Sequence, residues 1–364
     1  MSPQEFDALL IGLRALRAAD FAGGAAMATL VRTRGPVFRR AGARMLVFAD
    51  GRIVRGLSAG CPEADIAGRA REVIASDEAR LLVYDKQRGY DSLLELGCGG
   101  EMEVLLEPLR NRSDLIHAET IAACLRSRRP AWLATAFAAS DGRCLPRPRR
   151  LLWDGQLRLD EWDDSDAVAK LFAGMGPPDS RALPRVVDVA TREGSLQVLL
   201  EPLRPATALV LIGVNSTTVA LARLGRGLGW SVQLIDHRDD NPSPDTPVGA
   251  DLLCAAPSRL AEVAMLDPHT AVVVMTHNLG RDLEYLAVVR DHPLAYLGAL
   301  GSRQRAAQMR DAIGTTATRL HVPAGLDMAA ETPEEIALSI AGEIQAVIHG
   351  RDGRGLSHGD GPLH

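Results

Sequence analysis

Aromatic residues are scarce, only 4% of a 364-residue chain, so Ala, Leu, Val and Gly have to build its cores. Hydrophobic residues still reach 46%, ample for the two or three domains this length implies. There are five cysteines and no CxxC pair. That excludes a dense disulfide framework and a zinc spacing, and it fits reduced thiols in a cytoplasm. No apolar run reaches the roughly 20 residues of a membrane span. The N-terminus has no basic stretch followed by an apolar core, so no secretory leader is expected. Positive charge is not in excess either. The formal net charge is -5, which argues against a nucleic-acid surface. The one arginine cluster, Arg143 to Arg150, reads as a solvated loop.

What is present centres on Ser58-Ala59-Gly60-Cys61-Pro62-Glu63-Ala64-Asp65. Leu46-Val47-Phe48 and Ile53-Val54 around Asp50-Gly51 predict a hairpin leading into it. Pro62 suits the first turn of a helix, which puts Cys61 next to a positive helix end. That position lowers a thiol's pKa and makes it a nucleophile or a soft metal ligand, against the opposing charges of Glu63 and Asp65. The alternative is a small buried cysteine packing a tight turn. A second cysteine sits among glycines in Leu96-Gly97-Cys98-Gly99-Gly100, where bare amides can approach a ligand. The two turns together suggest one thiol site, with both sulfurs on one open surface. Arg39, Arg40 and Arg44 either meet an anion or form a solvated edge.

A heptapeptide repeats letter for letter, Val104-Leu105-Leu106-Glu107-Pro108-Leu109-Arg110 and Val198-Leu199-Leu200-Glu201-Pro202-Leu203-Arg204. Ala28-Thr29 matches Ala134-Thr135, and Asp50-Gly51 matches Asp154-Gly155, in the same order. Residues 115 to 204 therefore read as a second copy of residues 6 to 110, the two forming one continuous sheet system. The second copy has no cysteine where Cys61 and Cys98 would fall, and reads as scaffold. Pro205 marks a boundary. Beyond it, Ala208-Leu209-Val210-Leu211-Ile212 is an apolar run typical of a strand buried on both faces. Alternating strands and helices then predict a parallel, doubly wound sheet. The fold class is α/β: an N-terminal α+β region with an internal duplication, then a Rossmann-like domain. The expected domains are 1–112, 113–205 and 206–350, with a tail at 351–364.

Ligands bind such sheets at the carboxyl ends of the strands. The Gly213 turn, Asp236, His277 and the Ser302-Arg303 turn gather there. The Gly213 turn departs from a dinucleotide fingerprint, because Asn215 and Thr218 add side chains where backbone must come close. Asp236 stands where a ribose hydroxyl is read. His277 is a general base, a ligand, or a histidine simply hydrogen-bonded in place. Ser302 and Arg303 either bind an anion or cap a helix beside an exposed arginine.

Several motifs occur together: Pro36, Gly42-Ala43-Arg44-Met45-Leu46-Val47, Ser58 to Glu63, Gly97 to Gly100, Met275-Thr276-His277, Leu300-Gly301-Ser302-Arg303, and Gly325-Leu326-Asp327 through Glu331-Thr332-Pro333-Glu334-Glu335-Ile336-Ala337. This combination resembles the XdhC/CoxI family, accessory proteins for maturing xanthine dehydrogenase and related molybdenum hydroxylases. The sequence departs from the family pattern at Asn215, where Gly-x-Gly-His is usual, at Ala59 for Gly, and at Pro62 for Val. The resemblance implies a cofactor chaperone without turnover of its own. It would bind the molybdenum cofactor (molybdopterin), help its sulfuration by a cysteine desulfurase, and pass it to an apo molybdenum hydroxylase. No nucleic-acid or membrane partner is implied, and a homodimer is one open assembly. The candidate site comprises Cys61 and Cys98 as the reactive pair, with Cys61 as a molybdenum ligand. Arg44, Ser58, Gly60, Gly99, Gly100, Gly213, Asp236, His277, Ser302 and Arg303 form its cofactor-binding set. The alternative is an NAD(P)-dependent oxidoreductase using the Rossmann-like half, although Asn215 and Thr218 argue against NAD(P).

Overall fold

The structure, a computed structural model, describes residues 2–35, 37–57, 61–85, 100–179, 182–236, 250–314 and 319–358, with Cys61 described by its backbone alone. The chain divides into two units, Met1–Pro205 and Ala206–His364.

The first unit opens with helix α1 (Pro3–Ala18). Ser2 and Glu5 cap it reciprocally, and Pro3 occupies the first helical position. Its Phe6, Leu9, Leu10, Leu13 and Leu16 recur at helical spacing and are buried. Then follow β1 (Ala25–Arg34), β2 (Arg44–Phe48), β3 (Ile53–Val54), α2 (Cys61–Ser76), β4 (Arg80–Tyr84) and β5 (Glu101–Leu109). The strands form one antiparallel sheet in the order β3-β2-β1-β5-β4. Gly51 turns the β2–β3 hairpin at φ +88°, where a side chain would be strained.

The same series recurs as α3 (Ile116–Arg126), β6 (Ala131–Ala139), β7 (Cys144–Trp153), β8 (Leu157–Asp160), α4 (Ser165–Phe172), β9 (Arg185–Thr191) and β10 (Gly194–Leu203). Its sheet order, β8-β7-β6-β10-β9, repeats the first. The duplication is thus visible in topology, but the expected continuous sheet is not formed. Each copy brings its own hairpin and final strand, which occupy both sides of its central strand, β1 or β6. The two sheets meet instead through shared cores, in which Leu13, Leu16, Met27 and Phe48 pack with Ile121, Leu133 and Leu152. Helix α2 covers the other face of the first sheet through Ile66, Ala70 and Val73, and α4 covers that of the second through Ala167 and Phe172.

The repeated heptapeptide has a specific use. Arg44 stands opposite Thr29 in the first sheet, and Arg150 opposite Thr135 in the second. Each repeat glutamate crosses to the arginine of the other copy. Arg44 donates to both carboxylate oxygens of Glu201 at 2.9 and 2.6 Å, and Arg150 pairs with Glu107. All four side chains are buried. The arginine cluster from Arg143 is therefore not a solvated loop. Arg143 stands exposed in the turn before β7, and the others lie on β7, where Arg147 pairs with Asp77 and Asp114, Arg149 with Glu193, and Arg150 with Glu107. Pro146 and Pro148 are accommodated where the β6–β7 register shifts between Ala136 and Ala138, a stretch that needs no ladder donors.

The second unit runs β11 (Ala208–Ile212), α5 (Ser216–Gly227), β12 (Ser231–Asp236), β13 (Asp251–Cys254), α6 (Leu260–Val263), β14 (Thr270–Val274), α7 (Leu279–Val289), β15 (Tyr296–Ala299), α8 (Arg303–Ile313), β16 (Leu320–His321) and α9 (Pro333–Ile348). Its six strands are parallel in the order β13-β12-β11-β14-β15-β16, with Ala208 opposite Ser231 and Ile212 opposite Ile235. Leu209 and Leu211 face a core containing Leu221 of α5 and Ile340 and Ile344 of α9. Val210 and Ile212 face Leu286 of α7 and Met309 of α8. Burial on both faces accounts for the unbroken apolar run of β11. The chain leaves β11 for β12 on one side and returns to β14 on the other. This puts the switch point, where such sheets take ligands, between the carboxyl ends of β11 and β14. Thr332 and Glu335 cap α9 reciprocally, with Pro333 first. Among the described residues, no helix is long and apolar enough to cross a membrane.

Candidate functional site

Helix α2 begins at Cys61, so the cysteine holds the first helical position. Its first turns are tied down through Asp65, which accepts from Tyr84 Oη at 2.7 Å and from Arg69 Nε at 2.8 Å. Ser58, Gly60, Cys98 and Gly99 lie outside the described residues, as does the Cys61 side chain, and with them the expected meeting of two sulfurs. The described residues next to these turns are connected. Gly35, at the end of β1, sits against Gly100, its Cβ position 3.5 Å from the Gly100 Cα. Arg39 donates to the Gly56 carbonyl at 3.4 Å and to Glu5 at 2.5 Å. Gly35 and Arg39 thus contact Gly100 and Gly56, described residues close in sequence to the two thiol motifs. The thiols elsewhere in this unit are poorly suited to chemistry. Burial and the Glu107 carboxylate push Cys144 to about 11, and burial with Asp154 raises Cys124.

Arg44 does not belong to the cofactor-binding set. Its guanidinium is buried, forked onto Glu201, and also donates to the Gly42 carbonyl at 2.9 Å. Burial works against its charge, but the Glu201 carboxylate holds its pKa above the ordinary arginine value. Its partner lies 157 residues away, and only the matched Arg and Glu steps of the repeat signal the pairing.

At the switch point of the second unit, Gly213 has φ +102° and no room for a side chain: a Cβ would come within 2.7 Å of the Met275 carbonyl oxygen. Asn215 caps α5. Its Oδ1 accepts from the amides of Thr217 and Thr218 at 3.0 and 3.1 Å, and its Nδ2 donates to the Met275 carbonyl at 3.0 Å. The Asn215 amide in turn donates to the Thr218 hydroxyl at 2.8 Å. The turn has the Rossmann position, and its own Asn215 side chain takes up two of the amides at the helix start, where such folds hold a pyrophosphate.

Across this crevice, His277 is exposed and has φ +61°, a left-handed conformation that costs a non-glycine residue free energy. Both neighbours are held. Thr276 donates to the buried Asp282 Oδ1 from its amide at 3.0 Å and its hydroxyl at 2.7 Å. Asp282 Oδ2 accepts from Arg305 at 2.7 Å. On the other side, Asn278 caps α7 by accepting from the Arg281 amide at 3.1 Å. Ser302 is a helix cap, accepting from the Arg305 amide at 3.4 Å, while Arg303 is exposed with no ion pair among the described residues. Asp236 ends β12 and is fully buried. The structure thus brings Gly213, His277, Ser302 and Arg303 to the carboxyl edge of neighbouring strands.

Sequence reading missed Thr276, Asp282 and Arg305, the network around His277. A carboxylate inside the first turns of the helix after a buried strand is its only signal. It also missed a cluster at the sheet edge. There Glu343 accepts from Tyr296 Oη at 2.6 Å and the Gly325 amide at 2.7 Å, and its other oxygen lies 3.0 Å from His321 Nδ1. Tyr296 stacks on His321 at 4.6 Å. This cluster anchors the Gly325-Leu326-Asp327 segment to α9.

Known proteins agree with this architecture. Residues 22–85 match the XdhC and CoxI family, and residues 209–344 match the XdhC Rossmann domain; together the matches span more than half of the chain. A Bacillus subtilis (strain 168) protein, named as a probable subunit of xanthine dehydrogenase, is 26% identical over 88% of this chain and 92% of its own length. The "Molybdenum cofactor insertion chaperone PaoD" of Escherichia coli (strain K12) is 26% identical over 89% of this chain and 83% of its own. A crystal structure titled a xanthine dehydrogenase from Bacillus halodurans shares the fold, with a TM-score of 0.75 at 23% identity over 95% of this chain and 97% of that one. The chain belongs to the XdhC and CoxI family.

Proposed function

We propose that this protein binds the molybdenum cofactor, assists its sulfuration by a cysteine desulfurase, and hands it to an apo molybdenum hydroxylase of the xanthine dehydrogenase type. It works in the cytoplasm as a carrier rather than as a catalyst with turnover. Cys61 at the head of α2 supplies the soft donor for molybdenum or sulfur, with Cys98 beside the Gly99-Gly100 amides assisting. Ser58 and Gly60 add contacts to the cofactor beside Cys61. In the second unit, His277 and Arg303 offer an anion-accepting edge of their own at the carboxyl ends of the strands.

The observation that carries this reading is the self-capped Gly213 turn. A dinucleotide is held by bare amides at this helix start, and Asn215 already engages two amides there. This capping supports reading the domain as a nucleotide-binding fold used for another ligand. The name of the Escherichia coli relative supports cofactor insertion as that use, and the name of the Bacillus subtilis relative supports a xanthine dehydrogenase-type client.

The purified chain is mixed separately with molybdenum cofactor and with NADH, then desalted. Molybdenum and pterin are expected to stay with the protein while NADH is lost. Retained NADH with no retained molybdenum would overturn the proposal. Co-purification with an apo molybdenum hydroxylase, followed by its activation, tests delivery.

A further inference from the structure

Phe38 is 63% exposed, whereas every other described aromatic residue is buried or half-buried. In a chain so poor in rings, this one stands in solvent. It is not on a loose tail. Val37 before it packs against the core that α2 covers, and Arg39 after it is pinned to Glu5 and the Gly56 carbonyl. Ala41 packs inward, Gly42 donates to the Leu30 carbonyl at 2.7 Å, and the Arg40 carbonyl accepts from the Ala43 amide at 3.3 Å. Burial therefore alternates along the segment: Val37 in, Phe38 out, Arg39 paired, Arg40 out, Ala41 in. Arg40 is exposed and has no ion pair among the described residues. An exposed ring and, two residues on, an exposed guanidinium with no ion pair among the described residues thus stand on one hydrogen-bonded segment.

We infer that Phe38 and Arg40 form a binding platform for a planar heteroaromatic anion, the ring stacking on the heterocycle and the guanidinium meeting its negative group. The inference rests on the proposed function in one respect, that the heterocycle is a pterin. The physical basis is general. An aromatic face stacks on any flat heterocycle, and a neighbouring arginine adds charge and planarity. Arg39 acts here as a positioning residue, since its pairing with Glu5 directs Phe38 and Arg40 outward.

The test uses the full chain and two probes, an anionic pterin carboxylate and an uncharged dimethylpterin, titrated by calorimetry and by pterin fluorescence. Phe38→Ala is expected to weaken both probes roughly tenfold. Phe38→Tyr should bind like the parent, because it keeps the ring. Arg40→Ala should weaken the carboxylate alone, with a loss that shrinks as salt rises. Both substitutions are at exposed positions, so unfolding temperatures should be unchanged. Equal binding of the probes by Phe38→Ala and the parent would overturn the inference, as would a parent chain that binds neither. Molybdenum retained by the parent after desalting keeps the two readings apart. Retention with no pterin-probe effect removes the platform and leaves the proposed function. Loss of retention with intact probe binding removes the proposed function and leaves the platform. A Phe38→Ala chain that keeps both probes but no longer engages an apo molybdenum hydroxylase would show Phe38 to be a protein contact, also overturning the inference.

Discussion

Glu201→Ala removes one partner of a fully buried pair and leaves the Arg44 guanidinium charged inside the first unit. Arg44 and Glu201 are 8% and 2% exposed, so solvent screening offers little relief. Stranding a buried charge in this way costs about 3–5 kcal/mol. For a unit of roughly 200 residues, each kcal/mol lowers the unfolding temperature by about 2–4 °C, so a fall of roughly 6–20 °C is expected. Tryptophan fluorescence suits the assay, because Trp132, Trp153 and Trp162 lie in the first unit and Trp230 in the second. Glu107→Ala should behave alike, since Arg150 is the pseudo-equivalent partner. The double replacement of Arg44 by Met and Glu201 by Leu should recover most of the loss, because no charge is then desolvated. A Glu201→Ala chain less than about 1 kcal/mol weaker than the parent would refute the claim that the crossed pairs join the two copies.

His117 on α3 is buried, and burial, followed by the charges of Arg150 and Arg44, drives its pKa well below the ordinary 6.5. The unfolded chain takes up this proton and the native one does not, so stability is full above 6.5 and falls as pH drops towards the folded value. His117→Gln should flatten urea-unfolding stability between about pH 7 and 5, where the parent loses up to about 1.4 kcal/mol per pH unit; an unchanged slope would exclude His117 as its source. His277→Gly relieves the left-handed backbone and should raise stability of the second unit by roughly 0.5–1 kcal/mol while lowering molybdenum retention, two opposite readouts on the same protein. Cys61→Ala should abolish cofactor retention or sulfur delivery with little change in unfolding temperature, and full activation of a client enzyme by that variant would remove Cys61 from the mechanism.

Local signals are legible where the physics is local. The capping box at Thr332 and Glu335, the hairpin glycine Gly51, and the two-faced apolar run of β11 each specify their element without outside help. The switch point follows from alternating strands and helices, and the character of the Gly213 turn follows from what Asn215 and Thr218 do to a phosphate site. Arg44 misleads because its partner is supplied by the second copy: an arginine near two others reads as an anion binder until its distant carboxylate is known. The β7 arginines mislead for a related reason. Two prolines close together suggest a loop, and only the register shift against β6 shows how a strand accommodates them. His277 is legible as a candidate, but its backbone strain and the Asp282–Arg305 network that holds it depend on a helix that follows and another beyond it.

The duplication also explains why the two copies agree in their buried pairs and differ in the turns outside them. A buried arginine on its own is a liability, and each copy carries one that the other neutralises. Neither half can drop its glutamate without stranding a charge in its twin, so Leu-Leu-Glu-Pro-Leu-Arg is retained in both copies for a structural reason. The turns outside that core are under no such constraint. In the first copy, the hairpin leads into the Cys61 turn and α2. In the second, the matching hairpin leads into Glu161-Trp162-Asp163-Asp164 and α4, where Asp164 caps the helix and Trp162 fills the core. The shared framework fixes where α2 begins, and the second copy supplies the counter-charges that make this framework stable. A substitution at Glu201 should therefore disturb the first copy as strongly as one in its own strands, although it lies far from Cys61 in sequence.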